Sequence, residues 1–243
     1  NTVVIFTCDN GTSPKANFAQ LDTAGVHLNV NWRGWKADVY EGGHRVPFIV
    51  RWPGQVKPDM RSHETIVLTD IMATCADILG TDLPADAAED SVSLLPLLRG
   101  EKVEKPMHDI VIHHSVSGHF AIRKGQWKLL LCGGSGGWSP PREVEAAKKK
   151  LPILQLYDLA NDPQETKNLQ AKYPGKVAEL AKGLAKAIRD GRTTPGPRQA
   201  NQGWPNTIPK AIREKLQQLG DPKINSQTTN SSNSVAQKSQ SSR

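Results

Sequence analysis

The sequence reads as an α/β unit followed by a small antiparallel sheet with one helix packed on it. Three observations carry that reading. Residues 2–8, Thr-Val-Val-Ile-Phe-Thr-Cys, are a short β-branched and aromatic run closed at once by Asp9-Asn10-Gly11, the pattern of a buried strand ending in a turn. Residues 70–79 carry apolar side chains at helical spacing, with Thr69 or Asp70 to cap them and Gly80 after the end. Residues 109–114, 119–123 and 126–132 are three strand-like runs, the last two joined by Lys124-Gly125, a hairpin signal.

Taken in order, the first strand is expected to be central in a parallel sheet, whose chemistry gathers outside the carboxyl ends of its strands. Residues 12–33 have weak periodicity and read as a long loop, a length that is usually functional or disordered. Residues 46–52 form a second buried strand, stopped by Pro53-Gly54. The helix at 70–79 presents Ile71, Met72, Cys75, Ile78 and Leu79 on its apolar face. Residues 81–107, with Pro84, Pro96 and the turn from Ser93 to Leu98, make a packed connector. The strands of the second sheet follow, then a glycine-rich loop from Gly133 to Trp138, a charged helix at 142–150 and a further strand at 154–159. Asn161-Asp162-Pro163 turns the chain into an amphipathic helix at 175–189, with Val177, Leu180, Leu184 and Ile188 on one face and Gly191 behind it. We divide the chain into 1–107, an α/β unit; 108–191, a small α+β subdomain; 192–220, a Pro/Gly linker and short helix; and 221–243, a Ser, Asn and Gln tail read as disordered.

Composition narrows the function classes. The chain has 243 residues and a net charge of +7, a balance that favours anionic partners such as sulfated or phosphorylated substrates and acidic polysaccharides. Its cations are scattered, and the one run, Lys148-Lys149-Lys150, reads as a solvated helix face rather than a nucleic-acid patch. No stretch reaches the ~18 apolar residues of a membrane span. Cys8, Cys75 and Cys132 have no metal-ligand spacing; Cys8 and Cys75 are expected to be packed thiols. The chain opens at Asn1 inside what reads as a central strand. A doubly buried strand seldom opens a domain, so the expectation is a C-terminal piece of something longer.

Two stretches carry chemistry. Asp9-Asn10-Gly11 has the composition of a β-turn, and equally offers two hard oxygen donors for Ca²⁺ or Mg²⁺. A Ca²⁺ ion takes about 6–8 oxygens, more than two neighbours supply. The second stretch runs from Gly34-Trp35-Lys36 through Glu41-Gly42-Gly43-His44-Arg45 to Pro47. It is either a surface turn with solvated charges or a loop in which Lys36 opposes an anionic substrate group. Arg45 is expected to hold the loop; His27 and His44, each in a site-forming loop, are read as loop hydrogen-bonders, with substrate contact the alternative. His113 and His114, adjacent on a strand, point to opposite faces and read as structural. Lys128 reads as an outward strand residue.

These segments together resemble the C-terminal half of the type I sulfatases, in the alkaline-phosphatase-like superfamily. In chain order the resembling pieces are Val3 to Gly11, Arg33 to Lys36 with Tyr40 to Pro47, Val50-Arg51-Trp52-Pro53-Gly54, and the helix from Thr69 to Gly80. Ser91 to Leu98, Ala121 to Leu129 and Leu156 to Pro163 follow. The resemblance runs from Asn1 to about Leu169. It implies the C-terminal portion of an alkaline-phosphatase-like α/β sandwich, with 1–107 as part of its catalytic domain. It further implies Asp9 and Asn10 as late ligands of a Ca²⁺ ion (or Mg²⁺ in its place), and Lys36 as the lysine on the substrate sulfate. The family's nucleophile is a formylglycine made within Cys/Ser-x-Pro-x-Arg, and none of Cys8, Cys75 or Cys132 stands in that motif. It is therefore expected in a preceding half. The implied substrate is a sulfated small molecule or polysaccharide, with export to a periplasm or the outside. Two alternatives stay open: a phosphodiesterase or phosphonate hydrolase of the same superfamily, and a non-catalytic, basic polyanion-binding protein.

Overall fold

The structure is a computed structural model and describes residues 2–200 and 210–219. The first apolar run forms β1 (Val4–Thr7). Where a loop was expected, a 3₁₀ turn at Pro14–Ala16 leads into α1 (Phe18–Thr23). Asn17 takes a left-handed conformation (φ 53°) at this junction. Next come the one-turn α2 (Glu41–His44) and β2 (Phe48–Arg51). Strands β1 and β2 pair antiparallel, from Val4↔Arg51 to Thr7↔Phe48. This corrects the expectation of a buried parallel strand. A two-stranded ribbon has one covered face, and Val4, Phe6 and Ile49 lie on the other, 53%, 58% and 60% exposed. Cys8, just past β1, is exposed as well, against its expected packing.

The helix α3 (Asp70–Leu79) has the expected bounds and ends on Gly80 at φ 63°. Its inward face is not the expected one. Asp70 and Thr74 are buried, whereas Met72 and Leu79 are 54% and 75% exposed and Cys75 is exposed. Polar anchoring selects that face. The Asp70 carboxylate accepts from the Val67 and Val92 amides and faces His108 Nε2 at 2.9 Å, while Thr74 Oγ1 accepts from Leu94 N. The short α4 (Leu95–Leu98) closes the connector.

The second sheet is β3 (Val111–His114), β4 (Phe120–Lys124), β5 (Trp127–Leu130) and, after α5 (Glu143–Lys148), β6 (Gln155–Asp158). Its order is β3-β4-β5-β6, antiparallel throughout. The two-residue turn Gly125-Gln126 sets the Lys124↔Trp127 register. From this register each face follows, because directly opposite residues point the same way. Ile122, Leu129 and Leu156 face α6 (Pro174–Asp190) and meet Val177, Leu180, Ala181 and Leu184 in one core. Ala121, Leu130 and Tyr157 face the other way and pack on Val39 and Tyr40. The sheet is thus a wall with α6 behind it and segment 33–45 in front. Helix α7 (Lys210–Leu219) falls where a last helix was expected, and its Leu219 joins the α6 core. The tail at 221–243 and most of the Pro/Gly linker beyond residue 200 lie outside the described residues.

Candidate active site

Segment 33–45 has little regular structure and many fixed backbone partners. Buried Asp38 accepts from Trp35 N (3.0 Å), Trp138 N (2.8 Å) and Ser139 N (3.1 Å). Val39 N donates to Ser135 O and Val116 N donates to Ala37 O, each at 3.0 Å. The loops after β3 and β5 therefore grip the residues around Lys36 from the sheet side. Arg33 lies flat on the Tyr40 ring, 3.9 Å from its centroid, and donates to the Glu165 carbonyl (2.7 Å) and to the Tyr157 hydroxyl (3.3 Å).

The two stretches singled out in the sequence meet. Gly11 N donates to Gly43 O (2.9 Å), Lys36 N to Thr12 O (3.0 Å) and Gly42 N to Arg33 O (2.8 Å). Three backbone segments approach closely here, and glycine makes that possible. A Cβ on Gly11 would strike the Gly42 carbonyl, one on Gly42 the Gly34 and Arg33 carbonyls, and one on Gly43 the Asp38 carbonyl. Asp9 is exposed, and Asn10 and Lys36 are half-buried. Among the described residues, no hydrogen bond or ion pair engages the Lys36 ammonium. Asp9 borders a cavity of about 640 Å³ whose walls include His44, Arg45, His113 and Arg123. Among the described residues, no three His, Cys, Asp or Glu side chains gather around a metal-sized centre. Asp9 and Asn10 are hard oxygen donors beside a glycine hydrogen-bonded to Gly43, and by donor chemistry fit as part of a larger ligand set.

Arg45 holds the loop as expected, donating to Glu41 (3.2 Å) and stacking 4.0 Å from the Trp32 ring centroid. His27 hydrogen-bonds within its own loop as expected, its Nδ1 3.2 Å from Asp22 Oδ1 in the open. Lys128 departs from its reading altogether. It is wholly buried, with Nζ 2.9 Å from Glu41 Oε1, 2.9 Å from Glu165 Oε1 and 3.0 Å from His44 Nε2. The same His44 Nε2 lies 3.3 Å from Val39 O, so it faces both the Lys128 ammonium, which only donates, and a carbonyl, which only accepts. The His113 ring lies against His44, centroids 3.8 Å apart and planes tilted by 43°, and donates through Nε2 to Val39 O (3.3 Å). Burial, then the Lys128 charge, brings the His113 pKa down to about 3. Burial, His113 and Lys128 likewise hold His44 well below its ordinary value. The two carboxylates sharing one ammonium split apart. Glu41 is held ionised by Lys128 against its burial, and Glu165 is pushed up by burial and by the Glu41 charge.

Comparison with known proteins decides the family. Residues 32–134 match the model of N-sulphoglucosamine sulphohydrolase, C-terminal. An N-acetylgalactosamine-6-O-sulfatase of Bacteroides thetaiotaomicron is 36% identical over 186 residues, covering 74% of this chain and 35% of the relative. Arylsulfatase A of Homo sapiens is 31% identical over 216 residues, covering 83% and 41%. The chain belongs to the sulfatase family. It corresponds to the C-terminal part of these sulfatases and spans about 35% of the length of the bacterial one. Among solved structures, one from work on the metabolism of multiple glycosaminoglycans by B. thetaiotaomicron superposes with a TM-score of 0.63 at 34% identity. The match covers 77% of this chain and 38% of that one. A sulfatase from Pseudoalteromonas sp. shares the fold at a TM-score of 0.54 and 22% identity, over 77% and 37%. The sulfatase chain thus has the C-terminal part of an alkaline-phosphatase-like α/β fold, with the small antiparallel sheet as expected.

Proposed function

We propose that the whole protein hydrolyses a sulfate ester, and that this chain supplies one wall of the site. The observation that carries the reading is the convergence of the Asp9-Asn10 turn and the Lys36 segment through Gly11–Gly43 and Lys36–Thr12 hydrogen bonds. In this reading the Lys36 ammonium opposes the sulfate oxygens and stabilises the negative charge that grows on the departing oxygen. A fixed charge is worth most where water is excluded. Asp9 and Asn10 would hold a Ca²⁺ ion, supplying two of its ~6–8 oxygens, with the remaining ligands from outside these 243 residues. The metal's contribution there would be to draw off charge from the sulfate oxygens. The nucleophile, a formylglycine in family terms, would also come from outside them. The similar B. thetaiotaomicron enzyme is an N-acetylgalactosamine-6-O-sulfatase, so 6-sulfated amino sugars are the first substrates to try.

The test compares 6-sulfated N-acetylgalactosamine and an aryl sulfate with the corresponding phosphate esters, using the whole protein and its Lys36→Ala variant. Sulfate ester turnover is expected, falling well over tenfold in the variant, since one such charge contributes several kcal/mol. Near wild-type turnover by the variant would remove Lys36 from its role. Faster cleavage of the phosphate esters would move the reading to phosphoryl chemistry.

A further inference from the structure

We propose that Lys128 is a positioning residue for this site: its buried ammonium fixes the Glu41–Gly43 turn against which the Asp9-Asn10 turn is hydrogen-bonded. The inference deepens the sulfatase reading above and takes its catalytic meaning from it. Fully buried lysines are rare unless paired, and each buried ion costs several kcal/mol in lost solvation. A methionine at 128 would pack on Leu130 and Tyr157 without that cost. What the ammonium adds is direction. It donates to Glu41 Oε1 (2.9 Å), lies 3.0 Å from His44 Nε2, and pairs by charge with Glu165 Oε1 at 2.9 Å.

Each carboxylate passes that constraint on. The other oxygen of Glu165 accepts from Glu41 N at 2.7 Å, and its carbonyl takes Arg33. The other oxygen of Glu41 takes Arg45. Glu41 thus has its backbone and its side chain fixed by one buried centre, and Gly42 and Gly43 follow it directly. Gly43 O then holds Gly11 N, next to Asn10, and Gly42 N holds Arg33 O, three residues before Lys36. The ammonium is buried on every side, so it does not touch substrate. It acts through a contiguous chain of hydrogen bonds to both candidate site segments.

The test is amide hydrogen exchange in the whole protein, comparing wild type with Lys128→Met and Glu165→Gln. Helix α6, on the far side of the sheet, is the internal standard. We expect at least tenfold faster exchange at Glu41–Gly43 and Gly11 in Lys128→Met, with α6 protection unchanged. On the sulfate ester, kcat should fall tenfold or more, with KM changed less. Glu165→Gln keeps an acceptor for Glu41 N and loses one charge, so it folds even where Lys128→Met does not. It should speed exchange at the same amides at least threefold. Wild-type exchange there in a folded variant, or a rise shared equally by α6, overturns the proposal. Local loosening in a protein that cleaves no sulfate ester would keep the positioning and remove the reading of function.

Discussion

Glycines 11, 42 and 43 set the geometry of the candidate site by what they lack. Gly42→Ala drives a methyl into the Gly34 and Arg33 carbonyls, which accept from the Asn29 side chain and from Gly42 N. Backbone cannot rotate away as a side-chain tip does, so the segment must shift. We expect a loss of about 1–3 kcal/mol of stability, the range for overpacking, read by urea unfolding. Gly25→Ala, where nothing lies within 4 Å of the new carbon, should lose less despite its positive φ. Equal losses would show that the close approach carries no cost. At this scale the sequence was informative about backbone and uninformative about Lys128. Turn chemistry marked Asp9-Asn10-Gly11 and Glu41-Gly42-Gly43 as special. Alternation in β5 placed Lys128 opposite Leu129, correctly, and so toward solvent, wrongly. The missing information was long-range: the carboxylate that meets it, Glu41, is 87 residues away. A lysine inside an otherwise apolar strand was the only local sign.

The two longer helices with a full set of described side chains show how far periodicity reaches. In α6 the apolar stripe is the buried stripe, since Val177, Leu180 and Leu184 sit on the sheet. Leu184→Ala should cost about 2–5 kcal/mol, the transfer of its side chain plus the cavity left behind. In α3 the same kind of stripe is turned outward, because the Asp70 and Thr74 hydrogen bonds to residues 67, 92 and 94 decide which side faces in. Leu79→Ala in the 243-residue chain should therefore stay within about 0.5 kcal/mol of wild type. A large loss at Leu79 would mean that this face is covered in solution. Helix bounds were legible in both cases because Gly80 and Gly191 end them; helix facing in α3 was not, because a buried Asp can outweigh apolar residues once all its acceptors are filled. The short α1 was missed since one and a half turns give too few residues for a period to show.

Across the molecule, charge is placed where the two sheets' surroundings meet, and this makes stability depend on pH with a definite sign. Only net charge and seven histidines are legible in the residues themselves; the structure puts the His44 and His113 rings, 3.8 Å apart, beside the Lys128 ammonium. Both rings stay neutral in the folded chain, His113 down to about 3. In the unfolded chain each takes up a proton near pH ~6.5. Below that value the unfolded state binds protons that the folded state does not, so stability falls as pH falls. The window for His113 runs from about 6.5 down to about 3, and each histidine contributes a slope of at most about 1.4 kcal/mol per pH unit. Glu41 adds the same sign at lower pH. Its carboxylate is held below the ordinary glutamate range, so the stability it contributes is present above that range and is lost as acid protonates the unfolded chain first. Glu165, pushed up, opposes this only partly, because it shares the same ammonium. Urea unfolding between about pH 7.5 and about pH 5 is expected to show a steady loss of stability. In His113→Gln the amide still donates to Val39 O and cannot titrate, so the slope should flatten by up to one proton. An unchanged slope in that variant would mean that His113 is protonated in the folded protein, and that the packing around Lys128 admits a second positive charge.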